Sequence, residues 1–216
     1  QKALPNPKWN ARTAAYYEKL LAQKTFDFGV FSYSMPGDNE PENVASTREK
    51  LRAETSRLEA VFGRPFDIMP TYSHIAWYSS KMEFPSTLAG EFAGGDGFNS
   101  KPVLQFTYQF TTNNNNVSSY NSTQCQTPMF DILRGVYDED FRKLASAIKA
   151  YGYPVLFRLN NEMNTDWTSY CGMMTLCDPE IFILTWRYLY DIFESEGVDN
   201  CIWIFNPNAV SCPYSR

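Results

Sequence analysis

Apolar residues fall into two kinds of pattern that alternate along the chain: continuous runs of strand length and stripes at helical spacing. Residues 26–31, 65–70, 102–110, 153–160 and 201–205 are the runs, each bounded by Gly, Pro, Asn or other turn-forming residues. Between them the spacing is helical. Ala14, Tyr17, Leu20 and Leu21 predict a short amphipathic helix over 11–23. Leu51, Leu58, Val61 and Phe62 predict another, which Ser46 or Thr47 can cap and Gly63 stops. A weaker helix is expected over 85–93. Residues 138–150 give the cleanest pattern, with Phe141, Leu144, Ala145 and Ile148 at i, i+3, i+4 and i+7 and Gly152 where a left-handed C-terminal residue belongs. Asp178-Pro179 supplies a cap and a first-turn proline to a last helix, whose stripe runs through Ile181, Leu184, Tyr188, Leu189 and Ile192 before Gly197.

Strands alternating with helices need crossover connections and hence a parallel sheet. An open doubly wound sheet and a closed barrel both satisfy that order. The loops separate them: segments after strands are long and rich in Asn, Tyr and Trp, whereas the turns into strands, Gly63-Arg64 and Gly152-Tyr153, are tight. One-sided enrichment of this kind suits a barrel with its site on the C-terminal face. The expected fold is therefore α/β, a (β/α)8 TIM barrel of which this chain supplies about the first five β/α units. Residues 1–216 form a single catalytic-type domain in this reading, with strands six to eight outside it.

Composition narrows the class. A hydrophobic content of 44% over 216 residues supports one large core. The net charge is −5 with Lys and Arg scattered, so neither nucleic acid nor a membrane surface is an expected partner. No run approaches the ~18 apolar residues of a membrane span. The chain opens on Gln1 without a signal-peptide pattern, as a trimmed secreted product would, and an extracellular location is the expectation. Asn116-Val117-Ser118 and Asn121-Ser122-Thr123 fit the glycosylation acceptor pattern. The cysteines lack CxxC spacing and His74 is the single histidine, so neither a metal nor a cofactor is expected. Cys125, Cys171, Cys177 and Cys212 fall in loops after strands and either stay free or form disulfides, with Cys171–Cys177 the simplest pairing. Cys201, at the other end of a strand, is expected to be free.

The candidate chemistry gathers where the run 153–160 gives way to Asn160, Asn161 and Glu162. Glu162 shares its parity with Leu156, Arg158 and Asn160, which directs it into the barrel mouth. An isolated strand-end glutamate more often pairs with an internal charge, here Arg158 or another. The surroundings favour chemistry. Trp167, Tyr170, Trp77, Tyr72, Tyr108 and Phe205 all follow or end strands, and such rings offer flat faces to sugars when they are not core residues, as Trp203 is expected to be. Asn160, Asn161, Asn164, Asn206 and Asn208 supply amides that match hydroxyl groups, whereas a phosphate site would want Gly-rich turns and cations. The expected substrate contacts are Asn161, Trp167, Tyr170, His74, Trp77, Tyr108 and Asn206.

Residues 132–138, 151–158, Glu162-Met163-Asn164 and Asp166-Trp167 together resemble glycoside hydrolase family 26, (β/α)8 retaining glycosidases best known as endo-β-1,4-mannanases. Trp186-Arg187 and residues 203–208 look like the same family; the similarity is strong over 132–208 and thinner from Tyr16 to Phe110. The resemblance implies a polysaccharide or oligosaccharide substrate and makes Glu162 the acid/base, which protonates the glycosidic oxygen and then activates water. The family commonly has His before this glutamate. Asn161 stands here instead, as in the wider clan, so a β-glycan is firmer than mannan. Strict alternation would send Asn161 and Glu162 to opposite faces, so both reach one site only through a bulge or strand-end twist.

A retaining mechanism also needs a second carboxylate ~5–5.5 Å from the first. The resemblance puts it on the seventh strand, roughly ninety residues past Glu162, beyond Arg216. Asp38, Glu40, Glu83, Glu91 and Asp166 do not match the nucleophile motif. Five strands would leave open edges, which a second chain could complete. Two function classes follow. The first is a secreted retaining glycoside hydrolase, an endo-β-1,4-mannanase or else a β-1,3-1,4-glucanase or xylanase. The second is a non-catalytic carbohydrate-binding protein that uses the same cleft.

Overall fold

A computed structural model describes residues 4–32, 44–75, 83–91, 101–111 and 127–210. Strands β1 (Ile68–His74), β2 (Val103–Gln109), β3 (Val155–Leu159) and β4 (Cys201–Ile204) form one parallel sheet in chain order. The helices are α1 (Ala11–Ala22), α2 (Val44–Phe62), α3 (Ser86–Glu91), α4 (Met129–Leu133), α5 (Asp138–Tyr151) and α6 (Pro179–Ser195). A doubly wound sheet reverses its strand order at a switch point. This order never reverses, so each crossover steps the same way, as around a barrel wall.

Alternation gives the sheet two faces. Met69, Leu104, Phe106, Tyr108, Val155, Phe157 and Leu159 point to the helices and pack with Leu51, Phe141, Leu144, Ile148, Leu189 and Phe193 in the main core. The Phe157 ring lies 5.1 Å from that of Phe193 and 4.7 Å from that of Trp203, the half-buried core contact expected of Trp203. On the inner face, Val103, Leu156 and Ile202 meet the buried ring of Tyr16 from α1, with Trp9, Leu20 and Ile68 beside them. Tyr16 can be fully buried because its hydroxyl donates to Asp27 Oδ2 at 2.9 Å. The buried positions of α1 are thus Thr13 and Tyr16, while Leu21 of the expected stripe is exposed.

Local signals set the helices nearest the site. Phe141, Leu144, Ala145 and Ile148 of α5 are all buried, Asp138, Glu139 and Asp140 complement the positive helix start, and Gly152 closes the helix at φ 70°. The Asp178 side chain caps α6 by accepting from the Glu180 N–H at 2.9 Å, with Pro179 in the first turn. Asn200 then donates to the carbonyls of Ile148 at 2.7 Å and Tyr153 at 3.0 Å, joining the end of α5 to the starts of β3 and β4.

Several expectations need correction. Residues 26–31 lie beside β1 without forming a ladder. The Phe28 carbonyl accepts from the N–H groups of Asp67 (2.8 Å) and Ile68 (3.1 Å), but its own N–H is taken by the Asp67 carboxylate at 2.9 Å. Gly29 presses so closely on the Ile68 carbonyl oxygen that a Cβ there would stand 2.3 Å away. The first barrel position is therefore filled by irregular chain. β1 runs on past the expected run 65–70 to His74, so Thr71, Tyr72 and Ser73 pair with β2. Ser46 and Thr47 lie within α2, which begins at Val44, while α4 and the 3₁₀ turn Gly172–Thr175 were not expected. Cys171, Cys177 and Cys201 are free thiols. The Cys171–Cys177 bridge is absent because the intervening 3₁₀ turn leaves one thiol buried and the other exposed. Cys125, Cys212, Asn116, Asn121, Asp38 and Glu40 lie outside the described residues.

Candidate active site

Toward the C-terminal ends of the strands the inner face changes from apolar to polar. Arg158, two residues after Leu156, donates to Thr107 Oγ1 at 2.9 Å, to Asn206 Oδ1 at 2.9 Å and to the Tyr72 hydroxyl. Its guanidinium also lies 5.2 Å from the centre of the Tyr72 ring. One side chain thus links β1, β2 and the segment after β4. Among the described residues it is not ion-paired with Glu162.

Beyond β3 the chain turns through two left-handed residues, Asn160 at φ 49° and Glu162 at φ 59°. Asparagine tolerates this region; for glutamate such a conformation costs about 1–3 kcal/mol and persists only where neighbours impose it. The neighbours are present. Buried Asn160 donates its N–H to the Tyr108 carbonyl at 2.9 Å and accepts the Phe110 N–H on Oδ1 at 2.7 Å. The Glu162 N–H donates to the Asn206 carbonyl at 2.7 Å, and the Glu162 carbonyl accepts from Thr165 Oγ1 at 2.7 Å. The backbone of half-buried Glu162 is clamped on both sides, whereas its carboxylate has neither ion pair nor hydrogen bond among the described residues. These two turns are the strand-end twist that strict alternation required.

Asn161 and Glu162 consequently adjoin one cluster. Gln109, the last residue of β2, donates through Nε2 to Asn161 Oδ1 at 2.9 Å and to the Tyr170 hydroxyl at 3.2 Å. The Tyr170 hydroxyl donates in turn to the Asn161 carbonyl at 2.8 Å. Burial pushes the Tyr170 phenol well above its usual pKa; the bond from Gln109 and the charge of Arg158 oppose the rise, and the charges of Glu162 and Tyr72 add to it.

The expected contacts divide on inspection. Glu162, Asn161, Asn206 and Tyr170 come together. Tyr170 is only 1% exposed, so it takes part through its hydroxyl and not as a stacking face. Trp167 follows on the same loop with 46% of its surface exposed, and its ring is open to a ligand. His74 ends β1 with an exposed edge, and partial desolvation lowers its pKa. Tyr108 requires correction: it is fully buried on the helix side, its ring 6.0 Å from Phe106, 6.1 Å from Phe110 and 6.4 Å from Phe141. Trp77 lies outside the described residues. Asn164 and Asn208 bond each other's loops, at 2.9 and 2.6 Å, and brace the site. Thr107 and Gln109 were missed. The alternation of Gln105, Thr107 and Gln109 with Phe106, Tyr108 and Phe110 carried the signal for both them and Tyr108.

Flanking the site at β4, a groove of about 510 Å³ is lined largely by Met163, Tyr170, Phe182, Trp186 and Phe205. Among the described residues no group of three or more His, Cys, Asp or Glu side chains could hold a metal ion.

Residues 98–213 match the family model described as glycosyl hydrolase family 26. The chain belongs to glycosyl hydrolase family 26. A curated relative is Endoglucanase H of Acetivibrio thermocellus, 34% identical over 80 residues that make up 36% of this chain and 9% of that protein. Among solved structures, the Bacillus subtilis mannanase man26 superposes with a TM-score of 0.62 at 19% identity, covering 99% of this chain and 68% of that one. GH26A from Muricauda sp. gives 0.57 at 13% identity, covering 94% and 64%. Identities this low speak for the fold, which is the (β/α)8 barrel. This family 26 chain forms part of such a barrel and spans less than two thirds of Endoglucanase H and of the Muricauda chain.

Proposed function

We propose that this chain carries the acid/base half of a retaining glycoside hydrolase acting on a plant-type β-glycan, with endo-cleavage of β-1,4-mannan as the leading activity. The observation that carries the reading is Glu162 itself: a glutamate forced into a left-handed turn, clamped through its backbone and left with a carboxylate that has no protein partner among the described residues. In this role Glu162 protonates the glycosidic oxygen as the bond from the anomeric carbon breaks, then takes a proton from the water that attacks that carbon. The second carboxylate, ~5–5.5 Å away, forms and releases the glycosyl intermediate. It is supplied from outside these 216 residues, by the same polypeptide or by a second chain completing the barrel. The exposed ring of Trp167 offers a sugar platform, and Asn161, Asn206 and His74 offer polar contacts.

Mannan is favoured by the mannanase among the structural neighbours, and a β-1,3-1,4-glucan or xylan is the alternative that the likeness to an endoglucanase keeps in view. An extracellular location belongs to the same reading, since such polymers are met outside the cell. Product analysis of the complete protein on mannan, mixed-linkage glucan and xylan tests it, with Glu162→Gln in parallel. Release of short manno-oligosaccharides is expected, falling by roughly 10²–10⁴-fold in the variant while oligosaccharide binding is kept. Binding without hydrolysis in the unaltered complete protein would replace the enzyme with the non-catalytic carbohydrate-binding reading.

A further inference from the structure

A carboxamide has a donor end and an acceptor end of nearly the same shape, so its usefulness to a ligand depends on which end is turned toward it. We infer that Gln109 is a positioning residue that fixes the Asn161 amide with its NH2 group toward the substrate; the inference rests on the glycosidase reading above. The direction of each bond follows from the buried Tyr170 hydroxyl. Its single proton goes to the Asn161 carbonyl at 2.8 Å, so its oxygen can only accept from Gln109. Gln109 must therefore present its NH2 on this side, one N–H to Tyr170 at 3.2 Å and the other to Asn161 Oδ1 at 2.9 Å. A flipped Gln109 would set its carbonyl oxygen against two acceptors.

Asn161 is thereby held as an acceptor toward Gln109, and its Nδ2 group is turned away from the network. Nδ2 has no protein acceptor among the described residues, Asn161 is half-buried, and the next residue is Glu162. A fixed N–H donor beside the acid/base suits a sugar hydroxyl oxygen. The energetic logic is that of preorganisation: Gln109 and Tyr170 meet the cost of orienting the amide before substrate arrives. Gln109 reaches this position because it closes β2 on the inner face, opposite His74 in the ladder and two residues beyond Thr107.

Two measurements on the complete protein test this. Gln109→Glu keeps size and shape but offers only acceptors, so Asn161 must turn its NH2 inward and show Oδ1 to the sugar. The kcat/KM on the best β-glycan is expected to fall roughly 100-fold, mostly in kcat, with Tm close to that of the unaltered protein; Tyr170→Phe, which frees Gln109 to rotate, should give a smaller loss. Unchanged kcat/KM in folded Gln109→Glu would overturn the inference. Side-chain amide exchange by NMR on the unaltered protein needs no variant: slow exchange at Gln109 Nε2 with fast exchange at Asn161 Nδ2 supports the assigned orientation, and the reverse overturns it. If the unaltered protein hydrolyses no β-glycan yet the Gln109 amide is protected, the glycosidase reading fails while the fixed amide stands.

Discussion

The two ends of the sheet's inner face, built from the same strands and the same parity, have opposite chemistry. At the N-terminal end Val103, Leu156 and Ile202 are sealed by Tyr16 of α1. One to three alternations further on stand Tyr72, Thr107, Gln109 and Arg158, tied to one another or to Asn161, Tyr170 and Asn206. The first end excludes water and contributes stability; the second fixes polar groups through hydrogen bonds, with Thr107 and Tyr170 buried and Tyr72 exposed. The crossing point in β3 lies between Leu156 and Arg158. Glu162 stands beyond it, on the polar side, and its strained turn is held by bonds and not by apolar packing.

If that division is right, substitutions at the two ends should fail differently. Leu156→Asp puts an unpartnered charge among Tyr16, Val103 and Ile202 and should destabilise the fold by about 4 kcal/mol or more, read by urea denaturation; a milder loss would mean that α1 is not a tight seal. Arg158→Met removes the bonds to Tyr72, Thr107 and Asn206 at the open end. Its expected signature is inverted, a loss of roughly 100-fold in kcat/KM with no more than about 1–2 kcal/mol of stability. Trp167→Ala should raise KM by roughly tenfold through a lost stacking face and leave Tm nearly unchanged, because the ring is about half exposed. An unaltered KM would assign Trp167 to structure alone.

The smallest effect is expected at His74. Desolvation lowers its pKa from the ordinary 6.5, so the unfolded chain binds this proton more readily than the folded one. The contribution of neutral His74 to stability is present above the ordinary histidine pKa and is lost as pH falls through and below it. His74→Asn should flatten the acid limb of the stability curve in that window, measured by denaturation at a series of pH values; an unchanged slope would remove His74 from the polar end.

Much of the scaffold was legible because its causes are local. The stripe of α5, its acidic start and its Gly152 stop are short-range signals, and the structure follows them. So is the Asp178-Pro179 cap of α6. Elements whose causes are tertiary were not legible. Residues 26–31 have strand composition, but the Asp67 carboxylate, distant in sequence, takes a backbone N–H that a ladder would need. The single-turn α4 and the 3₁₀ turn that separates Cys171 from Cys177 have no periodicity to read. That Glu162, Asn161 and Asn206 lie close together at the strand ends was legible from residue type and position after a strand. Tyr108 was read as a ligand platform although its neighbours in β2 alternate so as to put it with Phe106 and Phe110. The same alternation marks Thr107 and Gln109 as polar residues on the inner face of an otherwise apolar strand.

The central claim is that Glu162 is a proton donor to a leaving group. The direct measurement compares Glu162→Gln with the unaltered complete protein on two substrates: the natural β-glycan, whose leaving alkoxide needs a proton, and a dinitrophenyl glycoside, whose leaving phenolate does not. The expected result is a loss on the order of 10³-fold with the polysaccharide, alongside a near-normal initial burst of dinitrophenolate and turnover restored by azide. Equal losses on both substrates, or undiminished hydrolysis of the polysaccharide, would contradict it.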